Sequence, residues 1–317
     1  TGDHVIALWS FDEGTEQTDA AGKDLGLEFD GVQISPDGRF GSCLESSAGA
    51  SADEATHHAR TEHRPELSPA GPFTIEMWIK PKAELNADYG EAFLIDKKFT
   101  SNTDYRLSLS SPARDGRRTL RAILGYGFDS ATYTSEPAEY ESGVWYHVAF
   151  SYDGKGTGYF FRDGLTLGNT NHMARGPITA GRRPLYIGDR SDNKSYGFPG
   201  FIDQVRISDK ALEFRPVILT FSSDRTAFVR MEQAPPLEFT VTNLQRTPLR
   251  GATCRFAIAD AGHTQVQLPE LSPGQEYTVQ YAFDTSLRPR TYRIHSRIEI
   301  DGEDRYVSDD RVEVVLV

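Results

Sequence analysis

Alternation of apolar and polar residues with a period of two restricts the fold of this chain more than any other feature. It is clearest over residues 73–80, 145–152, 200–207, 237–242 and 253–258. A β-strand turns successive side chains to opposite faces, so these runs read as half-buried strands. Before Asp209 no window of the sequence sustains a 3.6-residue apolar stripe, and helix is expected to be scarce. Further strands are expected at 5–11, 105–110, 119–126, 158–162 and 185–187, separated by Gly, Pro, Asn and Asp. The run Asp153-Gly154-Lys155-Gly156 joins two of them as a hairpin.

Residues 208–214, with Asp209 as N-cap, read as one helical turn that Pro216 ends. Beyond it the alternation restarts, with about seven strand candidates in about 100 residues, the density of an immunoglobulin-like sandwich. The expected organisation is therefore all-β in two domains: a sandwich over 1–214 and an immunoglobulin-like β-sandwich over 215–317.

Charge narrows the partners. The formal net charge is −12; residues 1–216 hold 23 basic against 32 acidic side chains (−9) and the remainder 11 against 14 (−3). Neither part has the basic surface that nucleic acids or anionic membranes require. The pairs Arg117-Arg118 and Arg182-Arg183 read as solvated loop charges. The longest apolar runs fall well short of the ~18–20 residues that cross a bilayer, so membrane insertion is not expected. Cys43 and Cys254 fall in different domains and read as small buried hydrophobes. The first residues lack the basic and apolar regions of a signal peptide, which fits either a cytoplasmic chain or a mature or excised piece.

Seven segments occur in a telling order. They are Leu8-Trp-Ser-Phe-Asp-Glu-Gly, Thr18-Asp-Ala-Ala-Gly-Lys-Asp-Leu-Gly, Gly38-Arg-Phe-Gly-Ser-Cys-Leu, Phe73-Thr-Ile-Glu-Met-Trp-Ile-Lys-Pro, Trp145-Tyr-His-Val-Ala-Phe-Ser-Tyr-Asp-Gly, Tyr159-Phe-Phe-Arg-Asp-Gly and Phe198-Pro-Gly-Phe-Ile-Asp-Gln-Val-Arg-Ile-Ser-Asp. In this order they resemble the LamG-like jelly-roll family of the concanavalin A-like lectin and glucanase group. The resemblance implies two stacked antiparallel sheets, commonly a calcium ion, and glycan binding or adhesion without catalysis. The last hundred residues more loosely resemble the CARDB type of bacterial adhesion sandwich, through Leu237-Glu-Phe-Thr-Val-Thr-Asn and Leu271-Ser-Pro-Gly. Such pairings imply a secreted, periplasmic or cell-surface setting and possible further domains in a larger chain.

The resemblance pairs Asp19, in its small-residue loop, with Asp203 as calcium ligands, and Asp24 is a third candidate. Calcium wants six to eight oxygens at flexible angles, and the ion would tie the loop to the terminal strand. Alternatively, Asp19 makes an Asx-turn and Asp203 is an ordinary strand residue. His57, His58 and His63 read as a surface loop rather than a zinc site. The acidic run from Asp189 to Tyr196 lacks the closing Glu of an EF-hand.

No nucleophile elbow, phosphate loop, paired-Cys zinc motif or His-Glu-x-x-His occurs, and Glu76 and Asp96 stand without a second carboxylate at i+2 or i+4. Sugar recognition needs flat aromatic faces beside groups that satisfy hydroxyls. Loop-placed candidates are Tyr89, Tyr126, Tyr133 and Tyr196, with Arg106, Arg190 and Asn193 as polar partners; Phe128 belongs to the same set. Trp9, Trp78 and Trp145 read as sandwich interior. The leading expectation is a calcium-stabilised glycan-binding or adhesion module with an immunoglobulin-like spacer. The rivals are a glycoside hydrolase or polysaccharide lyase whose carboxylates converge in space, and a structural or protein-binding scaffold.

Overall fold

A computed structural model describes residues 4–48, 57–86, 88–190, 197–245, 248–258, 262–300 and 310–317. The described chain is built from strands, with a single 3-10 turn at Pro65–Leu67. Among the described residues no helix is long and apolar enough to cross a membrane. The chain divides into two compact units, residues 1–162 with 167–213, and residues 163–166 with 214–317.

The first unit is a sandwich of two antiparallel sheets. Across one sheet the order is Leu165–Asn171, Thr157–Arg162, Tyr146–Tyr152, Phe73–Pro81, Gly200–Ser208, Cys43–Ser46 and Gln33–Ser35, and an eighth strand, Val5–Trp9, also pairs with Gly200–Ser208. Across the other the order is Ser130–Thr134, Leu120–Gly125, Tyr105–Leu109, Ala92–Asp96, Leu185–Ile187, His58–Thr61 and Glu28–Asp30. The core follows from the alternation. Phe73, Ile75, Met77 and Ile79 point inward from the central strand, and Tyr146, Val148, Phe150 and Tyr152 from its neighbour. Residues of the other parity on these strands point away from the core.

The expected hairpin is present. Tyr152 pairs with Gly158, and Asp153 Oδ1 accepts the Lys155 and Thr157 N–H groups at 2.7 and 2.9 Å. Gly154 and Gly156 take φ of +73° and +108°, the left-handed region that this turn requires and that glycine enters without strain.

Three local expectations are overturned. His58 does not lie in a surface loop but is buried on the strand His58–Thr61. Residues 208–214 are not a helical turn. Thr74 Oγ1 donates to Lys210 O and accepts Leu212 N–H, while Ser151 Oγ donates to Leu212 O. These side chains hold the segment extended along the sheet and satisfy groups a helix would have used. Arg118 is not a solvated loop charge either. It is buried and donates to the carbonyls of Asn86, Tyr89, Gly90 and Ser110 at 2.7–2.8 Å, binding the loop before Ala92–Asp96 to the sheet.

The second unit has its own core, including Phe239, Val241, Cys254, Phe256, Ile294 and Val314. It contains a three-stranded sheet, Val217–Phe221, Leu237–Asn243 and Glu276–Tyr281, and a five-stranded sheet in the order Ala227–Phe228, Asp310–Leu316, Arg290–Ile300, Ala252–Ile258 and Gly262–Gln267. All pairings are antiparallel except that of Ala227–Phe228 with Asp310–Leu316. Cys43 and Cys254 are both fully buried free thiols on strands.

Candidate ligand-binding site

The carboxylates expected to hold calcium have different surroundings. Asp19 is almost wholly buried, and its two oxygens accept the N–H groups of Leu8, Ala21 and Lys23 at 2.8–2.9 Å. Three donors aim their positive ends at this carboxylate and fill most of its acceptor positions with backbone groups. Asp24 projects into solvent, 3.9 Å from Arg64. Asp203 Oδ2 accepts the Phe40 N–H at 2.9 Å. The three share no hydrogen-bond partner, and among the described residues no group of three or more His, Cys, Asp or Glu side chains could hold a metal ion. The three carboxylates therefore form no shared ligand set among the described residues, while Asp203 Oδ1 is buried without a hydrogen-bond partner. Asp203 does link an early turn to the final strand of its sheet, but through a backbone N–H.

The expected sugar contacts among the described residues lie on or near the seven-stranded sheet, and their functional groups are largely engaged within the fold. Tyr133 is fully buried in the core, so its expected role as a ligand contact is corrected: an alternating partner of Ala131 on Ser130–Thr134, it points inward. The Tyr126 hydroxyl meets those of Tyr133 and Tyr152 at 2.6 and 3.2 Å, and the Arg175 guanidinium lies 4.7 Å over its ring. The Tyr89 hydroxyl donates to Gly197 O.

Arg106 is buried, bonded to Asp96 Oδ1 at 3.2 Å and to Phe99 O. Arg106 and Arg190 are brought together by Phe93, their guanidinium carbons 4.8 and 5.4 Å from its ring centroid. Phe99 continues the stack, with Arg190 and Arg183 at 4.9 and 4.7 Å. Beside this ladder Asp189 is pushed up to about 7, chiefly by burial, with Asp96 adding repulsion. Asn193 and Tyr196 lie outside the described residues.

The outward face of the eight-stranded sheet carries aromatic side chains expected in the core. Trp9 is indeed buried, its Nε1 donating to Leu25 O at 2.7 Å. Trp78 and Trp145 are not: both are half-buried and outside the core, as is Phe201. Strand parity gives the reason. Trp78 alternates with core residues Met77 and Ile79, and Trp145 precedes core residue Tyr146, so both point away from the interior. That signal is present in the sequence, since Trp78 shares parity with Thr74, Glu76 and Lys80.

Pairing aligns these residues in a row across the strands. Lys80 lies opposite Phe201, and Phe201 opposite Glu45. The Lys80 ammonium sits between two rings, 5.0 Å from the Trp145 centroid and 4.4 Å from that of Phe201. Lys82 lies 4.9 Å from Phe201 and pairs with Glu45 at 2.5 Å. One row away, Trp78 packs 5.4 Å from His147 and edge-on to Phe40 at 5.8 Å, with the Arg39 guanidinium 4.7 Å over its ring. Below it Glu76 bridges His147, at 2.9 Å, and Arg206. Burial alone would raise the Glu76 carboxyl, but the His147 hydrogen bond and charge, with Arg206, hold it below the usual range. The face thus offers half-exposed rings flanked by cations, amid polar groups able to meet hydroxyls.

A family model described as the concanavalin A-like lectin/glucanases superfamily matches residues 53–215. No curated protein matches the chain in sequence. Among solved structures, the chain is similar to the binding domain of botulinum neurotoxin serotype D/C VPI 5993, at 10% identity and TM-score 0.52, over 99% of this chain and 94% of that one. It is similar to the binding domain of Paraclostridial Mosquitocidal Protein 1, at 16% identity and TM-score 0.50, over 98% of this chain and 75% of that one. It also matches domain 4 of AbnA, an extracellular arabinanase of family GH43 from Geobacillus stearothermophilus solved with arabinotriose, at 20% identity and TM-score 0.49, over 66% of this chain and 94% of that one.

Proposed function

We propose, since this chain belongs to the concanavalin A-like lectin/glucanases superfamily, that its first unit is a non-catalytic carbohydrate-binding module. On this reading it engages a glycan through the outward face of its eight-stranded sheet. The observation that carries the reading is the row formed by Trp145, Lys80 and Phe201, with Trp78 one row away: rings held half-exposed on the sheet beside charged and polar groups. A soluble domain gains nothing for its core by turning two tryptophans outward, whereas sugar rings present C–H surfaces that pack on such rings. The second unit fits an immunoglobulin-like spacer, two sheets around one core, and polysaccharide targets place the work of the chain outside the cytoplasm.

A glycosidase or lyase reading needs two carboxyls facing one opening about 5–9 Å apart. Asp96 and Asp189 influence each other, but both are buried and Asp96 is bound by Arg106, while Glu76 is held by Arg206 and His147. Binding without catalysis is therefore the better supported reading.

A glycan array tests it, run with the whole chain and with Trp145→Ala and Phe201→Ala. The expected result is a defined set of bound glycans lost in either variant, with melting temperature preserved because both rings lie outside the core. An array on which the chain binds nothing, or on which both variants bind as the parent does, overturns the reading.

A further inference from the structure

Two cations on this face have no carboxylate partner among the described residues. Arg39 stacks over Trp78 at 4.7 Å and Phe40 at 5.6 Å, and its Nε is buried without a hydrogen-bond partner. Lys80 is held between Trp145 and Phe201, and its ammonium donates only to the Asp37 carbonyl, at 3.2 Å. Neighbouring cations are matched: Lys82 by Glu45, Arg206 by Glu76. In a chain of net charge −12, Arg39 and Lys80 thus share one sheet face, each held against aromatic rings rather than against a carboxylate.

The positions of both are fixed. Trp78 and Lys80 are two residues apart on one strand face, so their Cα atoms lie roughly 7 Å apart at the usual strand rise. Arg39 rides on a tight turn in which the Gly38 N–H donates to Gly41 O at 3.1 Å and the Phe40 N–H donates to Asp203 at 2.9 Å. A Cβ at Gly38 would stand 2.6 Å from Gly41 O and from the Ser42 backbone, so only glycine permits this turn. Aromatic faces hold a cation while shedding part of its water, which leaves its remaining N–H groups directed at an incoming anion at reduced desolvation cost.

We propose that the glycan bound at this face is an acidic polysaccharide, its carboxylate or sulfate groups paired with Lys80 and Arg39 while its rings pack against Trp145, Trp78 and Phe201. This rests on the carbohydrate-binding reading above and adds the charge of the ligand to it.

The test is affinity electrophoresis of the whole chain through gels containing alginate (carboxylate only), dextran sulfate (sulfate only) or neutral dextran. The expected result is retardation by at least one acidic polymer, weakening with added salt, and reduced at least tenfold by the double variant Arg39→Gln/Lys80→Gln at unchanged melting temperature. Arg230→Gln/Arg288→Gln, which removes the same charge from exposed positions of the second unit, is expected to leave retardation intact. The two acidic gels tell carboxylate from sulfate recognition. Retardation equal in neutral dextran, or unchanged in the Arg39/Lys80 variant, overturns the acidic ligand while leaving the binding face standing. If neither these gels nor the array shows binding, the carbohydrate reading itself falls.

Discussion

The Lys97 ammonium lies 2.9 Å from the Asp104 carboxylate, and neither side chain is exposed to solvent. Ser68 Oγ completes the group, donating to Asp104 Oδ1 at 2.6 Å and lying 3.1 Å from the ammonium, with His63 Nδ1 at 3.3 Å. Burial pulls Lys97 below its usual range and the Asp104 charge opposes that pull. The pair joins Asp104, in the loop before Tyr105–Leu109, to Lys97, just past Ala92–Asp96, so it fixes the ends of two neighbouring strands.

Removing one partner of such a pair leaves an uncompensated charge in the interior. Lys97→Met is expected to cost about 3–5 kcal/mol, and the double variant Lys97→Met/Asp104→Asn to recover much of that loss. Guanidinium unfolding followed by tryptophan fluorescence measures both. A single variant as stable as the parent would show that the pair is hydrated in solution.

Asp19 organises the loop it belongs to through three backbone N–H groups. Charge-assisted bonds of this kind contribute about 1.5–3 kcal/mol each before non-additivity, so Asp19→Ala is expected to lower stability by roughly 2–4 kcal/mol. EDTA, in contrast, is expected to leave the melting temperature of the parent unchanged. A fall on chelation that calcium reverses would restore the calcium site to Asp19 and Asp203.

Which parts of this are legible in the sequence follows from what a local pattern can encode. The period-two runs locate the principal strands, and Asp153-Gly154-Lys155-Gly156 locates a hairpin, because both depend on neighbours in sequence. The 208–214 segment has the local signals of a helical turn, and only Thr74 and Ser151, far away in the chain, decide against it. Similarly, nothing near Arg118 announces that four carbonyls will surround it. Trp78 and Trp145 are a different case. Their parity with Lys80 and His147 marks them as outward, while the apolar character of an indole points the other way, and in the folded chain alternation wins. For Asp19, residue type suggests a ligand, whereas the donors that fill it are backbone groups that no side-chain pattern displays.

Cys43 and Cys254 are both fully buried, and burial pushes each thiol up to about 12, with the Asp203 charge adding to the effect at Cys43. At pH 8 the thiolate, the reactive form, is then populated to roughly one part in ten thousand. A disulfide-exchange reagent is expected to modify neither cysteine in the native chain and both in guanidinium. Rapid native labelling of one of them would mean that its unit opens locally.

Stability of the first unit is expected to fall between pH 5 and pH 8, through two aspartates. Asp189 is raised to about 7 and Asp203 to about 6, each mainly by burial; backbone N–H groups oppose the rise at both, while Asp96 reinforces it at Asp189 and Asp12 at Asp203. A carboxyl that holds its proton more tightly folded than unfolded favours the folded state. That contribution is complete below the unfolded value near 3.9, and it disappears as pH rises through 6 and 7. Each tenfold difference in proton affinity between the folded and unfolded chain is worth ~1.4 kcal/mol, so the two groups account for on the order of 3–4 kcal/mol between pH 5 and 8. Glu76 has the opposite sign, but its folded value lies below the usual carboxylate range, so its loss falls at more acid pH. All three tryptophans lie in the first unit, so indole fluorescence during guanidinium unfolding reports on that unit alone. Asp189→Asn and Asp203→Asn keep an oxygen for the backbone donors while removing the ionisation. The double variant is therefore expected to be at least as stable as the parent at pH 8 and to show a nearly flat profile from pH 5 to 8. A parent profile already flat over that range, or a double variant with the parent's slope, would show that these two carboxyls ionise as they do in the unfolded chain.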